Sequence, residues 1–431
     1  MMSRSRTALL FTVLAPLSAV APFLLPIGCS PEVQAAAPKA AKAESKAAIA
    51  DAPLAAYQIE LLDIAFKAAS AFPSKAQLKN RSRIQATVVD ASFELDQPRR
   101  ALAQVEQIDN WRRGVGYADF AFYCAKHGDG SEVQHFLDLA DKLAKDLEAS
   151  TRDEDSTAQG WQRDRIRSKI ACTYLQLGRA EDAARYEQGL ADSEIGRVTA
   201  LRATQLADDA FDKQLAALDV AVATGNFDQL RGAIESYAQF FARFYSDLQR
   251  RAQLEGKIAA AYAKLPIQVR VESLGALTLT ALDHEDPAKA LELVANAQQL
   301  VDGAKWTAES GIPMRARLAG LRHRAGGQQE ARKDLDSALA LYDAQRGEIV
   351  DIYRAGVLRP LAEAYQSMGD QAASLKLYKR AIEEGAVNPN SRPRAEDLSA
   401  TCCSMAIGGV EPDAELRARI LHILGGLGDP W

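Results

Sequence analysis

Aromatic residues make up only 7% of the 431 positions, and the chain has only five cysteines and five histidines. With 48% apolar residues a folded body is expected, but its core has to be built mainly from Ala and Leu. An excess of charge of one sign is missing as well, because 52 Lys plus Arg stand against 57 Asp plus Glu. Nucleic acid binding depends on a positive excess, so this balance argues against a nucleic acid partner.

Catalytic and metal-binding motifs are also missing. The sequence has no G-x-S-x-G, H-E-x-x-H, C-x-x-C or Walker A motif. His284 and Glu285 begin like a zinc motif without its second histidine, and the loop 152–158 resembles a calcium loop with Ala158 where the sharp turn requires glycine. We therefore expect no cofactor and no metal, name no catalytic residue and expect the protein not to be an enzyme.

Residues 1–29 have the order of an export signal, in which two arginines precede a long apolar run. The run ends in LLPIGC, which resembles the bacterial lipobox, although Pro26 stands where Leu is usual. The resemblance implies lipidation of Cys29. Ordinary signal peptidase cleavage within 33–37 and an uncleaved anchor are the alternatives that remain open. Export is common to all three, and we expect the protein in a bacterial cell envelope, either in the periplasm or anchored to a membrane by its lipid.

The segment 30–52 consists largely of Ala, Pro, Lys and Glu without apolar periodicity, which is typical of a flexible tether. From residue 53 to 431, apolar residues recur at helical spacing between turn signals, and no alternation typical of strands persists. The sequence thus predicts an all-α body over 53–431.

The block 358–381 shows an internal repeat most clearly. With Gly369 as the turn, the packing positions hold Leu361, Ala362, Tyr365, Ser374, Tyr378 and Ala381. The block resembles a tetratricopeptide repeat (TPR), in which small residues let two antiparallel helices approach closely. The resemblance implies a right-handed superhelical solenoid of antiparallel helix pairs.

The same offsets recur around Gly128, Gly178, Gly326 and Glu285, with weaker copies around Asp96, Gly225 and Gly408. The turn centres are mostly farther apart than the 34 residues of the standard unit, so the repeats are irregular. A complete amphipathic segment at 248–265 indicates an additional helix. The clearest repeats are predicted at about 113–143, 163–193, 311–341 and 354–389, followed by a C-terminal cap at about 411–431.

In TPR proteins the first helices of successive repeats line a concave groove that receives a peptide or an extended protein segment. Projecting the offsets of those helices places five basic residues in the groove, with Asp219 and Glu363 as acidic neighbours. Basic side chains there suit carboxylates of a partner, and ordinary solvated charges are the alternative. The five candidates for the partner-binding groove are Arg165, Lys169, Arg317, His323 and Arg359.

Trp111 and Trp161 each lie 17 residues before a turn glycine. They are either contacts on a binding surface or wedges between repeats. Cys124 occupies a packing position, which predicts a buried thiol. Cys402 and Cys403 are adjacent on a predicted helix, where a mutual disulfide would be strained, and a redox role for one of them is the alternative.

These observations predict a non-catalytic scaffold or adaptor for protein–protein interaction, exported to the cell envelope and docking a partner on the concave face of a TPR-like solenoid. Two alternatives from other classes remain open. One is an envelope lipoprotein that binds a small ligand or glycan, and the other is an enzyme on a helical scaffold.

Overall fold

The computed structural model describes residues 49–150 and 156–431, without the side chains of residues 150 and 156–159. The export signal with Cys29, the tether up to residue 48 and the acidic part of the loop 152–158 lie outside the described residues.

The described residues form an all-α solenoid, with nineteen α-helices, one 3-10 turn at Asp208–Ala210 and no strand. None of these helices is both long enough and apolar enough to cross a bilayer. The helices are α1 (Ala56–Ser70), α2 (Leu78–Glu94), α3 (Pro98–Val105), α4 (Arg112–Lys126), α5 (Val133–Ser150), α6 (Ser156–Gln176), α7 (Ala180–Glu187), α8 (Asp192–Gln205), α9 (Phe211–Thr224), α10 (Phe227–Arg243), α11 (Leu248–Tyr262), α12 (Ile267–Asp283), α13 (Pro287–Asp302), α14 (Ala308–Arg324), α15 (Gln328–Gln345), α16 (Asp351–Ser367), α17 (Gln371–Ala386), α18 (Ser391–Gly408) and α19 (Ala414–Gly425).

Left-handed turn residues join the helices of most pairs, as the repeat predicts. The φ angle is positive at the predicted turn centres Gly128, Gly178, Gly326 and Gly369, a conformation that glycine adopts without steric cost. The non-glycine centres Asp96 and Glu285 also have positive φ, and a proline opens the helix that follows each of them. Gly225 differs, because its φ is −71° and α10 packs more extensively along α8 than along its sequence neighbour α9.

The packing positions of the repeat form the core. The six positions around Gly369 and the corresponding six around Gly128 are all buried. The additional helix predicted at 248–265 is α11, and its Leu254, Ile258 and Ala261 are buried.

Two glycines allow a close approach of α8 and α10, since a Cβ atom added at Gly232 would lie 2.8 Å from the Cα atom of Gly196.

The array closes on itself. Each of the nine even-numbered helices from α2 to α18 contacts the next, and α18 in turn contacts α2. The first helix, α1, packs along α18, where Gln58 Nε2 donates a 2.8 Å hydrogen bond to the carbonyl oxygen of Ala406. At the other end of α1, Ala69 and Phe72 share a buried cluster with Ala395, near the start of α18. Helices α1 and α18 are therefore antiparallel, and the described chain forms a ring.

The predicted cap region 411–431 contains α19, which lies at this seam of the ring. Arg419 pairs with Glu383 of α17 at 2.9 Å, and Arg417 pairs with Glu60 of α1 at 2.7 Å. The even-numbered helices form the inner wall of the ring, and the odd-numbered helices form its outer layer. Any side chain that an inner helix leaves uncovered by the outer layer faces the concave side.

Candidate functional site

The uncovered stripe of α2 consists of Arg83, Thr87, Asp90 and Glu94, which lie on one side of the helix and are exposed or half-buried. The charged neighbours of Asp90 include Asp119 on α4, whereas Glu94 is near Glu363 on α16. The stripe therefore faces other inner helices on both sides, which places it on the concave face of the ring.

Two of the predicted groove residues, Arg165 and Lys169, lie on this face on α6. The Arg165 Nε atom donates a 2.7 Å hydrogen bond to Glu194 of α8, and Lys169 Nζ donates at 2.5 Å to Asp119 of α4. The Glu194 carboxylate is buried and also accepts a 2.8 Å bond from the Ser168 hydroxyl. Both cations therefore link neighbouring inner helices, and part of their charge is already satisfied within the chain.

Arg112, at the start of α4, is near Arg165 but has no such pair of its own among the described residues. Its half-buried guanidinium sits 4.6 Å above the centroid of the Trp111 ring and forms no ion pair with any described residue. Arg165 and Arg83 are its cationic neighbours. Burial first, and then repulsion from these two arginines, lowers the pKa of Arg112 to about 10, so it remains charged at neutral pH. We call the group Arg83, Arg112 and Arg165 the arginine cluster.

Asp90 is the acidic neighbour of the arginine cluster. Solvent reaches its side chain, but the surrounding inner helices remove much of its hydration. This partial burial is the largest cause that raises the pKa of Asp90 to about 6, and the negative charge of Asp119 adds to it. Lys169 and Arg112 act in the opposite direction and keep the shift from being larger. The carboxyl group thus titrates close to neutral pH.

Trp111 and Trp161 are in contact, with ring centroids 4.9 Å apart and planes at 82°. The edge-to-face pair lies at the amino-terminal ends of α4 and α6, which agrees with a wedge between repeats. Trp161 is nevertheless 45% exposed, whereas Trp111 is half-buried. One indole therefore remains open to a ligand beside the arginine cluster.

The other predicted groove residues lie elsewhere on the ring. Arg359 on α16 forms a 3.0 Å ion pair with Asp397 of α18, and its side chain is only 20% exposed. Arg317 is exposed on α14, and His323 near the end of that helix is half-buried. Neither side chain forms an ion pair or hydrogen bond within the described part of the chain. The five predicted residues thus separate into a pair on α6 and three residues on α14 and α16.

The two acidic residues predicted for the groove have different outcomes. Glu363 is exposed on the inner helix α16 and accepts a 2.6 Å hydrogen bond from the Ser404 hydroxyl. Asp219 lies instead on α9 of the outer layer, where it pairs with Lys257 of α11 and accepts a 2.7 Å bond from Tyr237. The predicted place of Asp219 in the groove is wrong, because the repeat around Gly225 is not a regular helix pair.

Sequence reasoning missed Arg83, Asp90 and Arg112 as members of the site. The spacing of Arg83, Thr87, Asp90 and Glu94 does indicate one polar side of a helix, so part of the signal was present. Among the described residues, no group of three or more His, Cys, Asp or Glu side chains is arranged to hold a metal ion.

No protein-family model matches the chain, and no curated protein matches it. Among solved structures it is similar to a "Circular tandem repeat protein with novel repeat topology and enhanced subunit contact surfaces" at 14% identity, with a TM-score of 0.16. The match covers 86% of this chain and 95% of that one.

Proposed function

We propose that the chain is a non-catalytic protein-interaction scaffold of the TPR type, exported to a bacterial cell envelope, which docks an extended segment of a partner protein on its concave face. The arginine cluster is the observation that carries this proposal. Among the described residues its Arg112 forms no ion pair, and the half-exposed indole of Trp161 lies beside it; arginine and tryptophan are both enriched in binding hot spots.

The shape of the inner wall favours a segment of protein over a small molecule. Nine helices line it side by side, and their uncovered stripes carry both signs of charge. Repeat proteins use such extended surfaces for chain segments, because many modest contacts add up along the wall. A segment with acidic residues suits the arginine cluster, since arginine pairs with carboxylates through two parallel hydrogen bonds.

TPR membership is supported by the buried packing positions around Gly128 and Gly369 and by the left-handed turns between them. Export and lipidation are supported by the sequence of residues 1–29. If Cys29 carries the lipid, Cys29→Ala releases the protein from membrane fractions. Retention of this variant in the membrane fraction argues against lipidation.

Cross-linking in the native cells tests the scaffold role. The protein is purified from separated membrane and soluble envelope fractions, and its companions are identified by mass spectrometry. A stoichiometric companion that is lost with Arg112→Glu but kept with Lys142→Glu, an exposed charge on the outer helix α5, supports docking on the concave face. A protein without companions, or equal capture by both variants, argues against it.

Arg317→Glu maps how far the partner extends along the wall, because Arg317 is exposed and lies away from the arginine cluster. Arg359 is unsuitable for this purpose, since reversing its charge would break its ion pair with Asp397 and disturb the fold.

A further inference from the structure

The three guanidinium groups of the arginine cluster differ in whether they donate a hydrogen bond to an acceptor within the chain. Arg165 donates to the buried Glu194 carboxylate at 2.7 Å, and Arg83 donates to Glu396 of α18 at 2.8 Å. Arg112 donates from its side chain to no acceptor in the described residues, although its guanidinium is half-buried. A guanidinium has five N–H donors, and no Arg112 nitrogen is a buried atom without a partner, so these donors are open to water or to a ligand that replaces it. The site is therefore prepared for an acceptor from outside the chain.

The charge balance around Arg112 limits the charge of that acceptor. Glu194 and Glu396 pair with the two flanking arginines, and Asp119 pairs with Lys169, which leaves Arg112 and Asp90 as the two charges of this group without an ion pair among the described residues. Asp90 is close enough to influence Arg112 but forms no ion pair with it. A single negative charge on a ligand would pair with Arg112, whereas a second one would find no free cation in this group and would be repelled by Asp90. A carboxylate fits this balance better than a phosphate dianion.

The indoles define what is attached to the carboxylate. The Trp111 ring lies under the Arg112 guanidinium and holds it flat, with its N–H edge free to form two parallel hydrogen bonds. Trp161 stands at 82° to Trp111 and is 45% exposed, so it offers an apolar wall next to the guanidinium. An aromatic or aliphatic group packed against that wall would remove this exposed surface from water.

We propose that Arg112 and Trp161 form a subsite for a carboxylate carried next to an apolar group, such as the carboxyl-terminal Phe or Leu of a protein segment. This inference rests on the proposed scaffold function, because it specifies which feature of the partner the concave face recognises. Arg112 binds the carboxylate, Trp161 contacts the apolar group, and Arg165 and Arg83 position the Arg112 side chain between them.

The test uses N-acetylphenylalanine as the probe and its neutral amide as the matched compound. Binding to the full chain is followed by tryptophan fluorescence and by titration calorimetry. The acid is expected to bind with a Kd in the millimolar range and at least tenfold more tightly than the amide. Arg112→Gln is expected to weaken the acid at least tenfold, while Arg113→Gln, a change at the adjacent half-buried arginine, leaves it unchanged.

Two further measurements separate the role of Trp161 from the role of Arg112. Trp161→Ala is expected to weaken N-acetylphenylalanine but to leave the weak binding of acetate unchanged, because acetate has no apolar group to pack. Arg112→Lys is expected to restore only part of the affinity, since an ammonium group does not reproduce the two parallel bonds. Thermal melting of each variant confirms that the ring is folded.

Equal binding of the acid and the amide overturns the proposal, and so does unchanged binding by Arg112→Gln. Inorganic phosphate that competes more strongly than the acid also overturns it, because the site would then be a general anion site. If Arg112→Gln loses the probe but still captures the native partner, the subsite stands and the partner docks elsewhere. If the probe binds while no partner is found in cells, the scaffold function fails and the subsite remains.

Discussion

The Tyr57 hydroxyl donates a 3.0 Å hydrogen bond to the carbonyl oxygen of Gly409, across 352 positions of the chain. This bond joins the start of the first helix to the end of α18. An open solenoid has two ends at which helices fray, and its stability is close to a sum over neighbouring repeats. Here α1 packs along α18, so each end of the array supports the other.

Closure predicts that α1 contributes as much to stability as α16, an inner helix with neighbours on both sides. Leu62 is fully buried in the core cluster that also contains Leu361 of α16. Leu62→Ala and Leu361→Ala should each lower the free energy of unfolding by about 2–5 kcal/mol, because both leave a cavity in a packed core. Urea unfolding measures both values. A negligible loss for Leu62→Ala would show that α1 frays and that the ring is open.

The sequence predicts the local architecture of this ring well. The left-handed turn at Gly369 and the packing positions at fixed offsets from it involve contacts within about 20 positions of the chain. Such local contacts can be predicted from the sequence. The pairing of α1 with α18 cannot be predicted from the sequence, because it joins segments that share no repeat offset. Closure depends on the cumulative rotation of nine irregular inner helices, which no local pattern specifies.

The candidate site shows the same division. The offsets place Arg165 and Lys169 on the concave face, but their partners Glu194 and Asp119 belong to neighbouring helices. Arg112 differs from its neighbours because it has no ion-pair partner among the described residues. This difference becomes visible only when the ion pairs of the neighbouring helices are known. The sequence gives the charge of a residue, whereas tertiary contacts decide whether that charge has an ion-pair partner.

Gly196 and Gly232 predict a second stability difference. A Cβ atom at position 232 would lie 2.8 Å from the Cα atom of Gly196, and backbone cannot move aside as a flexible side chain can. Gly232→Ala should therefore destabilise the ring by about 1–3 kcal/mol through overpacking. Gly256→Ala in the middle of α11 meets nothing within 4 Å and should stabilise by about 0.5–1 kcal/mol. Thermal melts of the two variants should shift in opposite directions; shifts of the same sign would refute the close approach of α8 and α10.

Asp90 predicts a dependence of stability on pH. Its pKa is about 6 in the folded protein against 3.8 as the ordinary value, so the folded state binds this proton more tightly than the unfolded state does. The stability that this group contributes is therefore present at acid pH and is lost as the pH rises from about 4 to 6. Asp90→Asn should raise the melting temperature at pH 7.5 but not at pH 4. Asp146→Asn, at an exposed carboxylate on α5, is the matched control, and an equal response of both variants would contradict the raised pKa.

The ion pair between Arg359 and Asp397 predicts a structural rather than a binding role for Arg359. Burial raises the pKa of Asp397 although Arg359 opposes the shift, so the carboxylate depends on this partner. Arg359→Ala should cost about 3–5 kcal/mol of stability, because it leaves a buried charge unpaired. Lys145→Ala, which removes the exposed pair of Lys145 with Asp141 on α5, should cost less than about 1 kcal/mol. Equal losses in urea unfolding would show that the pair between α16 and α18 is not buried.

The four cysteines of the described chain predict a test of the core by thiol labelling. Cys124, Cys172, Cys402 and Cys403 are all buried and form no disulfide. Burial is the largest cause that raises the pKa of Cys172 to about 11 and that of Cys403 to about 12, so neither carries an appreciable thiolate fraction at neutral pH. Since the thiolate is the reactive form, a water-soluble disulfide reagent should label none of the four in the native protein and all four in denaturant. The experiment is done in the Cys29→Ala variant, so that only the four cysteines of the folded body are counted as labelled. Rapid labelling of Cys402 or Cys403 in the native protein would contradict this packing and favour the redox alternative.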